Sequence, residues 1–372
     1  MSEEKSKKPA NTAFKQQRLK AWQPLLTPKT VLPTLFIAGI LFAPLGGVFL
    51  YQSDTVNEII IDYTHCKDNN GTAQVLDDNL YSYKFTKEGD LPPRVPSYRF
   101  TPNPVAGEPG NCTIRFNTPI EIRTPVFLYY KLTNFYQNHR KYVKSLSYSQ
   151  LNGDVITAQD AAASCSPVNA NEQGQIYYPC GLIANSMFND TFAVTFLNSP
   201  GSQTNATMNF DETGIAWPAD KKRLHSTQMN PAELAPPPNW VKRYPEGYSA
   251  DNIFYPQDDE HFQVWMRTSW YPTFRKLYSA LRDNTLQAGI YEVNVVLNYD
   301  ITAYGGTKSI VLTGTSFLGD RNPFMGLAWI VMGCVCTLLG VVFLGWHFFK
   351  PRKLGDHDRL SWQQSGGPGQ PQ

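Results

Sequence analysis

The residues best suited to covalent chemistry lie in the middle of the chain. Four cysteines could form disulfide bonds, and four Asn-x-Ser/Thr sequons could accept N-linked glycans. The cysteines are Cys66, Cys112, Cys165 and Cys180, and the sequons begin at Asn70, Asn111, Asn189 and Asn205. Four cysteines allow three pairings. Together the two features predict an oxidising, glycosylating compartment for this part of the protein.

Motifs that carry enzymatic chemistry are missing from the sequence. It contains no Gly-rich phosphate loop, HExxH, GxSxG or CxxC motif, and its six histidines are scattered. His65 next to Cys66 could bind a metal, but a histidine beside a disulfide is the stronger interpretation in an oxidising compartment. The acidic run 258–260 is typical of a solvated surface. The sequence therefore predicts no catalytic residue, metal site or cofactor.

Two long apolar runs, free of Asp, Glu, Lys and Arg, dominate the ends of the chain. At about 1.5 Å per helical residue, each is long enough to cross the roughly 30 Å hydrocarbon core of a bilayer. The first run is too long for a cleaved signal peptide and reads as a signal anchor. The predicted organisation is a tail (1–30), a transmembrane helix (31–51), an ectodomain (52–323), a second transmembrane helix (324–349) and a tail (350–372).

The distribution of charge predicts the orientation of these segments. The two tails hold 11 basic and 4 acidic residues, whereas residues 52–323 hold 22 basic and 27 acidic residues. The positive-inside rule therefore places both termini in the cytosol. The sequons and the four cysteines all fall on the opposite, lumenal or extracellular side, in agreement. No nucleic-acid partner is predicted.

The ectodomain shows the alternation of strands more often than the spacing of helices. Apolar residues alternate mostly with polar ones at Tyr291, Val293, Val295, Leu297 and Tyr299. Similar segments predict strands at 113–123, 125–136, 192–197, 261–270 and 308–317. Helical spacing occurs at Phe274, Leu277, Tyr278 and Leu281, and a short helix is predicted at 158–165. The predicted fold class is a β-rich, antiparallel, disulfide-bonded ectodomain with few short helices.

Small residues recur along one face of each apolar run. Gly39, Ala43 and Gly47 are four apart in the first, and Gly333 and Gly340 lie on one face of the second with Cys336 between them. Small residues let helices approach closely in lipid, although glycine is also simply common there. We expect these faces to pack against another helix.

Several long segments resemble one family closely. They are NTAFKQQRLKAWQP (11–24), NFYQNHRKYVKS (134–145), CGLIANSMFNDTF (180–192), GIAWPAD (214–220), PPNWVKRY (237–244), VWMRTSWYPTFRKLY (264–278), GGTKSIV (305–311) and NPFMG (322–326). In order and spacing they are similar to the cell cycle control protein 50 family, also called the ligand-effect modulator 3 family, most of all to its fungal members. Its members are the non-catalytic β subunits of type IV P-type ATPases, which transport phospholipids.

The resemblance implies a role, a pairing of cysteines and a location. The chain is expected to form a heterodimer with a flippase ATPase, to sit among membrane lipids, and to be required for complex stability, exit from the endoplasmic reticulum and transport. Sequential pairing, Cys66 with Cys112 and Cys165 with Cys180, matches the family pattern. The expected membranes are the endoplasmic reticulum, the Golgi or endosome, or the plasma membrane.

The resemblance also suggests where the ATPase would bind. In the tail, Phe14, Arg18 and Trp22 are expected to dock on its cytosolic face, although a polybasic segment on anionic lipid is the simpler alternative. In the ectodomain, the expected contacts are Trp265, Arg267, Trp270 and Arg275, because Trp, Tyr and Arg dominate interface energies. The alternative is that these aromatic residues, Trp265 above all, fill the core. In the membrane, Gly39, Ala43, Gly47, Gly333 and Gly340 are the expected contacts.

Two other classes share this topology. A subunit of a two-span ligand-gated channel has a similar glycosylated ectodomain, but usually has more cysteines and polar pore residues. Membrane-bound ecto-nucleotidases need Gly-rich phosphate-binding strands, which this sequence lacks. The accessory subunit is therefore the preferred interpretation, and the channel subunit is the alternative.

Overall fold

A computed structural model of the chain describes residues 10–20, 26–69, 71–86, 94–105, 107–197 and 206–351. Its helices are α1 (Pro28–Asp54), α2 (Arg140–Lys144), α3 (Tyr148–Leu151), α4 (Ala158–Cys165), α5 (Leu182–Asn185), α6 (Pro218–Lys221), α7 (Glu260–Met266) and α8 (Pro323–Phe349). Its strands are β1 (Glu58–Asp62), β2 (Gln74–Val75), β3 (Tyr81–Lys84), β4 (Ser97–Thr101), β5 (Asn111–Thr118), β6 (Val126–Leu132), β7 (Ile176–Tyr177), β8 (Thr191–Leu197), β9 (Ala206–Thr207), β10 (Leu234–Ala235), β11 (Phe274–Leu281), β12 (Gly289–Val296) and β13 (Lys308–Thr313). The chain divides into a unit of the two terminal parts and an ectodomain, residues 52–322.

The two long helices contain the predicted apolar runs. Helices α1 and α8 have 27 residues each and are long and apolar enough to cross a membrane. Each is about 40 Å long, which exceeds the roughly 30 Å hydrocarbon core. Side chains on most of their surface are exposed in the isolated chain, as expected of helices whose solvent is lipid.

Glycines on α8 allow the two helices to touch at three levels. Gly326, Gly333 and Gly340 are the buried residues of α8. A Cβ atom built on Gly333 would lie only 2.7 Å from the backbone nitrogen of Ala43, and one on Gly326 only 2.6 Å from that of Leu50. The spacing of seven residues is the repeat of left-handed helix packing, which keeps one seam facing the partner helix.

On α1 the contact uses Gly39, Ala43 and Gly46. A Cβ on Gly46 would lie 2.7 Å from the carbonyl oxygen of Gly326, whereas nothing lies within 4 Å of one on Gly47. The reason is helical phase, because a residue seven positions after Gly39 is rotated by about 20° and one eight positions after it by about 80°. Gly47 therefore lies outside the contact with α8, and its place in a partner interface stays a prediction.

The ectodomain is built on two antiparallel sheets. The five-stranded sheet has the order β11-β6-β13-β1-β3, and the six-stranded sheet has the order β2-β4-β5-β12-β8-β9. β13 lies between β1 and β6, so the last strand of the ectodomain pairs with the first. A short parallel pair, β7 with β10, forms the only other sheet in the described residues. The predicted antiparallel, β-rich fold class is confirmed.

Alternating residues of both sheets face one shared core. The five-stranded sheet contributes Ile59, Leu128 and Ile310, and the six-stranded sheet contributes Ile114 and Val293, all nearly inaccessible to solvent. This alternation is the period-two pattern that a strand with one buried face requires. The core therefore lies between the sheets.

A second core lies among the short helices and is joined by a disulfide. Cys165, at the end of α4, is bonded to Cys180, and the bond is buried among Ile156, Tyr178 and Trp240. The first core contains the other disulfide, Cys66–Cys112, which ties the helical turn Thr64–Asp68 to β5. These are the two pairs that the family resemblance implies.

Two predicted secondary-structure segments are wrong. The alternation in 261–270 predicts a strand, but this segment contains α7. The helix begins at Glu260 because the Asp259 side chain caps it, accepting from the Phe262 nitrogen at 2.8 Å. The segment 274–281 has helical spacing but forms β11. A bulge between Leu277 and Ser279 shifts the register there and breaks the alternation that would have revealed a strand. The predicted helix 158–165 is present.

Replacing Gly333 with leucine should push α1 and α8 apart. The new side chain would meet the backbone of Ala43, and overpacking costs about 1–3 kcal/mol. Gly47→Leu is the control, since that side chain enters open space. With Cys334 and Cys336 replaced by alanine, spin labels on the exposed positions Ile40 and Val341 should report a distance increase of about 1–2 Å in the Gly333 variant alone. Equal distances in both variants would contradict the contact.

Replacing Cys180 with serine should destabilise the ectodomain. The disulfide closes a loop with a sequence separation of 15 residues. In the entropy treatment, losing such a link lowers the free energy of unfolding by about 3 kcal/mol. Urea unfolding of the full chain in micelles should show the loss, and Cys334→Ser, which removes a free thiol, should show none. An unchanged midpoint for Cys180→Ser would count against the role of this bond.

Candidate partner surface

The segment 264–278 divides into a buried and an exposed part. Trp265 is completely buried, and its indole nitrogen donates to the carbonyl oxygen of Ile183 at 2.7 Å. Its ring contacts those of Phe135 and Tyr130 in the shared core, with centroids 5.8 and 6.4 Å apart. Trp265 therefore fills the core, as the alternative interpretation of this segment held.

Arg275 is half-buried and makes contacts within the ectodomain. Its guanidinium donates to the carboxylate of Glu58 at 2.7 Å and lies 3.5 Å from that of Asp320. It also lies over the ring of Tyr129, 5.3 Å from the centroid. Glu58 begins β1 and Asp320 precedes α8 by three residues, so Arg275 joins the two ends of the ectodomain chain.

Arg267 belongs to a second cluster with residues of the GIAWPAD segment. Its guanidinium forms an ion pair with Asp220 and stacks on the ring of Trp217, 3.1 Å from the centroid. One guanidinium nitrogen, Nη2, is buried without a hydrogen-bond partner in the described part of the chain. Trp217 itself is 66% exposed. Sequence reasoning did not assign this tryptophan to the site, although its place in a family-like segment before a proline was a usable signal.

Exposed aromatic side chains sit on three adjoining loops, and we call them the aromatic patch. Their exposed fractions run from 55% to 84%. The patch comprises Tyr136, Trp270, Tyr271 and Tyr304. Aromatic residues are enriched at protein interfaces, and contiguous exposed apolar patches often mark interaction sites.

Hydrogen bonds fix the three loops to one another. The Asn138 amide donates to the Trp270 carbonyl at 2.8 Å, and the Ser269 nitrogen donates to the buried Gln137 side chain at 2.8 Å. Asn134 has a positive φ of 53° and donates from its side chain to the Tyr304 carbonyl at 2.7 Å. The patch is therefore held in place before any partner binds, which reduces the entropy lost on binding.

Lys276 anchors the loop that carries Trp270. Its ammonium donates to the carbonyl oxygens of Val264, at 2.9 Å, Trp265, at 3.1 Å, and Arg267. Carbonyl oxygens at the C-terminal end of a helix such as α7 have no partner within the helix, and a cation is favoured there. Burial, with the charge of Arg267 second, lowers the pKa of Lys276 to about 7.

The predicted glycan positions differ in what the structure describes. Asn111 and Asn189 are exposed, as an accepting asparagine must be, whereas Asn70 and Asn205 lie outside the described residues. Asn189 directly precedes Asp190, which is buried and bonded to Lys308 at 2.7 Å. The sequon is therefore presented at a fixed point of the surface.

The N-terminal tail is described only in part. Phe14 is 77% exposed, and the Arg18 guanidinium donates to the side chain of Asn11. Trp22 lies outside the described residues. An exposed aromatic and an exposed cation in this tail remain suited to either a protein or a lipid surface.

Comparisons with known proteins place the chain in a family. Residues 49–353 match the family described as "LEM3 (ligand-effect modulator 3) family / CDC50 family". The chain is 39% identical to "Phospholipid-transporting ATPase accessory subunit CRF1" of Saccharomyces cerevisiae, over 98% of this chain and 91% of the relative. It is also 39% identical to "Cell cycle control protein 50A" of Mus musculus, over 91% and 89% of the two chains. With two membrane-type helices around a disulfide-bonded β ectodomain, this chain belongs to the LEM3/CDC50 family.

Proposed function

We propose that this chain is the non-catalytic accessory subunit of a phospholipid-transporting type IV P-type ATPase, with which it forms a heterodimer. The observation that carries the proposal is near full-length similarity to relatives named as accessory subunits of phospholipid-transporting ATPases. The aromatic patch supports it, because its side chains are largely exposed in the described part of the chain and its loops are held in place by hydrogen bonds.

A non-catalytic role fits the chemistry available on the chain. Among the described residues, no group of three or more His, Cys, Asp or Glu side chains could hold a metal ion. The sequence has no phosphate-binding or nucleophile motif. ATP hydrolysis and lipid movement are therefore assigned to the partner, and this subunit would stabilise it and support its exit from the endoplasmic reticulum.

The proposed arrangement places both tails in the cytosol and the ectodomain in the lumen or outside the cell. The basic tails support it through the positive-inside rule. The two disulfides support an oxidising compartment for residues 52–322. In this arrangement Phe14, Arg18 and Trp22 face the cytosolic side of the ATPase, and the aromatic patch faces its lumenal loops.

Replacing Trp270 and Tyr271 with alanine should weaken the complex without unfolding the ectodomain. Both side chains are largely exposed, at 84% and 74%, so little packing is lost. A central aromatic residue of an interface contributes about 2 kcal/mol or more, which is a roughly thirtyfold loss of affinity. Affinity purification from membranes that contain the ATPase should show reduced copurification and reduced lipid-stimulated ATP hydrolysis. The control is Tyr148→Ala, which removes a similarly exposed aromatic (78%) from α3.

Three outcomes of this experiment distinguish the possible interpretations of the patch and of the chain's function. Loss of the ATPase in the Trp270 and Tyr271 variant alone supports the patch as the contact. Retention of the ATPase in every variant would mean that the contact lies elsewhere on the chain, and the subunit role would still stand. ATP hydrolysis, ion conduction or lipid transport by the purified chain alone would overturn the proposed function.

Replacing Asn189 with glutamine should remove one N-linked glycan. The asparagine is exposed, and Thr191 completes its sequon at the start of β8. The variant from a eukaryotic host should migrate faster on a denaturing gel by one glycan, and glycosidase treatment should abolish the difference. Equal migration before treatment would mean that Asn189 carries no glycan.

A further inference from the structure

The ectodomain contains a large polar cavity, and several of its wall residues are close in sequence to the two long helices. The cavity has a volume of about 790 Å³. Three segments form most of its wall: 55–57 directly after α1, 119–123 between β5 and β6, and 314–315 directly after β13. None of these residues belongs to the aromatic patch or to the two disulfides, so the cavity is a separate feature of the ectodomain.

The walls of this cavity are fixed by hydrogen bonds. The Gly314 nitrogen donates to the Asn57 carbonyl at 3.0 Å, which joins the segment after α1 to the segment before α8. The Asn57 side chain accepts from the Thr86 nitrogen at 3.0 Å. Ile122 and Leu286 exchange two backbone bonds of 2.8 and 2.9 Å. The cavity is therefore preformed rather than dependent on a ligand to shape it.

Two opposite charges on its wall have no ion-pair partner in the described part of the chain. Glu121 and Arg123 are both exposed and flank the buried Ile122. Residues two apart in an extended segment point to the same side, about 7 Å from each other along the chain. Arg123 offers a guanidinium and Glu121 offers a carboxylate to a ligand that carries one negative and one positive group.

Only a few residues of chain separate this wall from the end of α1. Thr55 follows the last residue of α1, and Asn57 is two residues further, so Asn57 lies within about 10 Å of the helix end. The headgroup region on each side of a bilayer is several Å thick, since the total thickness exceeds the hydrocarbon core by about 10–15 Å. If α1 crosses the membrane, the cavity wall is within reach of headgroups.

An exposed apolar turn next to the cavity gives an independent indication of a lipid surface. Ser316 and Gly319 exchange two backbone hydrogen bonds of 2.9 Å, which force Phe317 and Leu318 to the tip of a tight turn. Phe317 is 75% exposed. The turn follows the lining residue Thr315 directly and precedes α8 by four residues. Apolar side chains in such a position favour the boundary between headgroups and acyl chains.

We propose that this cavity binds the headgroup of a phospholipid that carries both a phosphodiester and an ammonium group. Arg123 donates to the phosphate, for which its planar fork is suited. Glu121 accepts from the ammonium, and Phe317 lies against the acyl chains. The proposal rests on the two helices crossing a membrane and does not require the ATPase partner.

The test measures lipid retained by the full chain alone. The protein is purified in neutral detergent with equimolar phosphatidylethanolamine and phosphatidylglycerol, and bound lipid is counted by native mass spectrometry. The wild-type chain should retain phosphatidylethanolamine preferentially. Arg123→Gln should lower retention of both lipids by about tenfold or more, since it removes charge-assisted bonds to phosphate. Glu121→Gln should lower retention of phosphatidylethanolamine only.

Controls keep the outcomes distinct. Arg99→Gln removes an exposed arginine from β4, outside the cavity, and should match the wild type. Phe317→Ser should lower retention of both lipids while circular dichroism stays unchanged. Equal retention by the wild type and Arg123→Gln overturns the proposal. If Arg123→Gln keeps its lipid but no longer copurifies the ATPase, the cavity is a protein contact instead, and the lipid proposal fails while the subunit role stands.

Discussion

The ectodomain depends on one fully buried carboxylate. Asp190 accepts from the backbone nitrogens of Asn298 and Tyr299, both at 2.6 Å, and from the phenol of Tyr63 and the ammonium of Lys308. It thereby joins the start of β8 in one sheet to β13 in the other. Burial, with the Asp190 charge second, raises the pKa of Tyr63, so this phenol remains a donor. An uncompensated charge at such a site would cost about 3–5 kcal/mol, so the two sheets are bound to one arrangement.

The fixed arrangement of the two sheets also determines how the exposed surface is supported. Phe135 lies where the core meets the aromatic patch, with its ring about 6 Å from those of Trp265, Phe274 and Tyr304. A side chain at the surface is therefore separated by one ring from the packed interior. A packed core beneath hydrogen-bonded loops explains how a two-sheet ectodomain with irregular connections can present a preorganised surface for a partner.

The sequence allowed the two long helices, the fold class and most central strands to be predicted, because long apolar runs and strict alternation are strong signals. It failed at α7 and β11, where a single capping side chain, Asp259, and a bulge at Leu277 overrode the local spacing. It also could not separate Gly46 from Gly47, because that distinction depends on helical phase over seven residues. The cluster of Trp217 with Arg267 was missed because the two residues are 50 positions apart in sequence.

Glycine contacts at Gly326, Gly333 and Gly340 extend over about 21 Å, roughly half the length of α8, and hold α1 and α8 together over that stretch. The two helices should therefore move as one rigid body. A thinner bilayer is met by tilting, and a stiff pair must tilt as one body. Membrane thickness would then change the tilt of both helices together. The lipid composition of the surrounding membrane would therefore set the tilt angle of this helix pair.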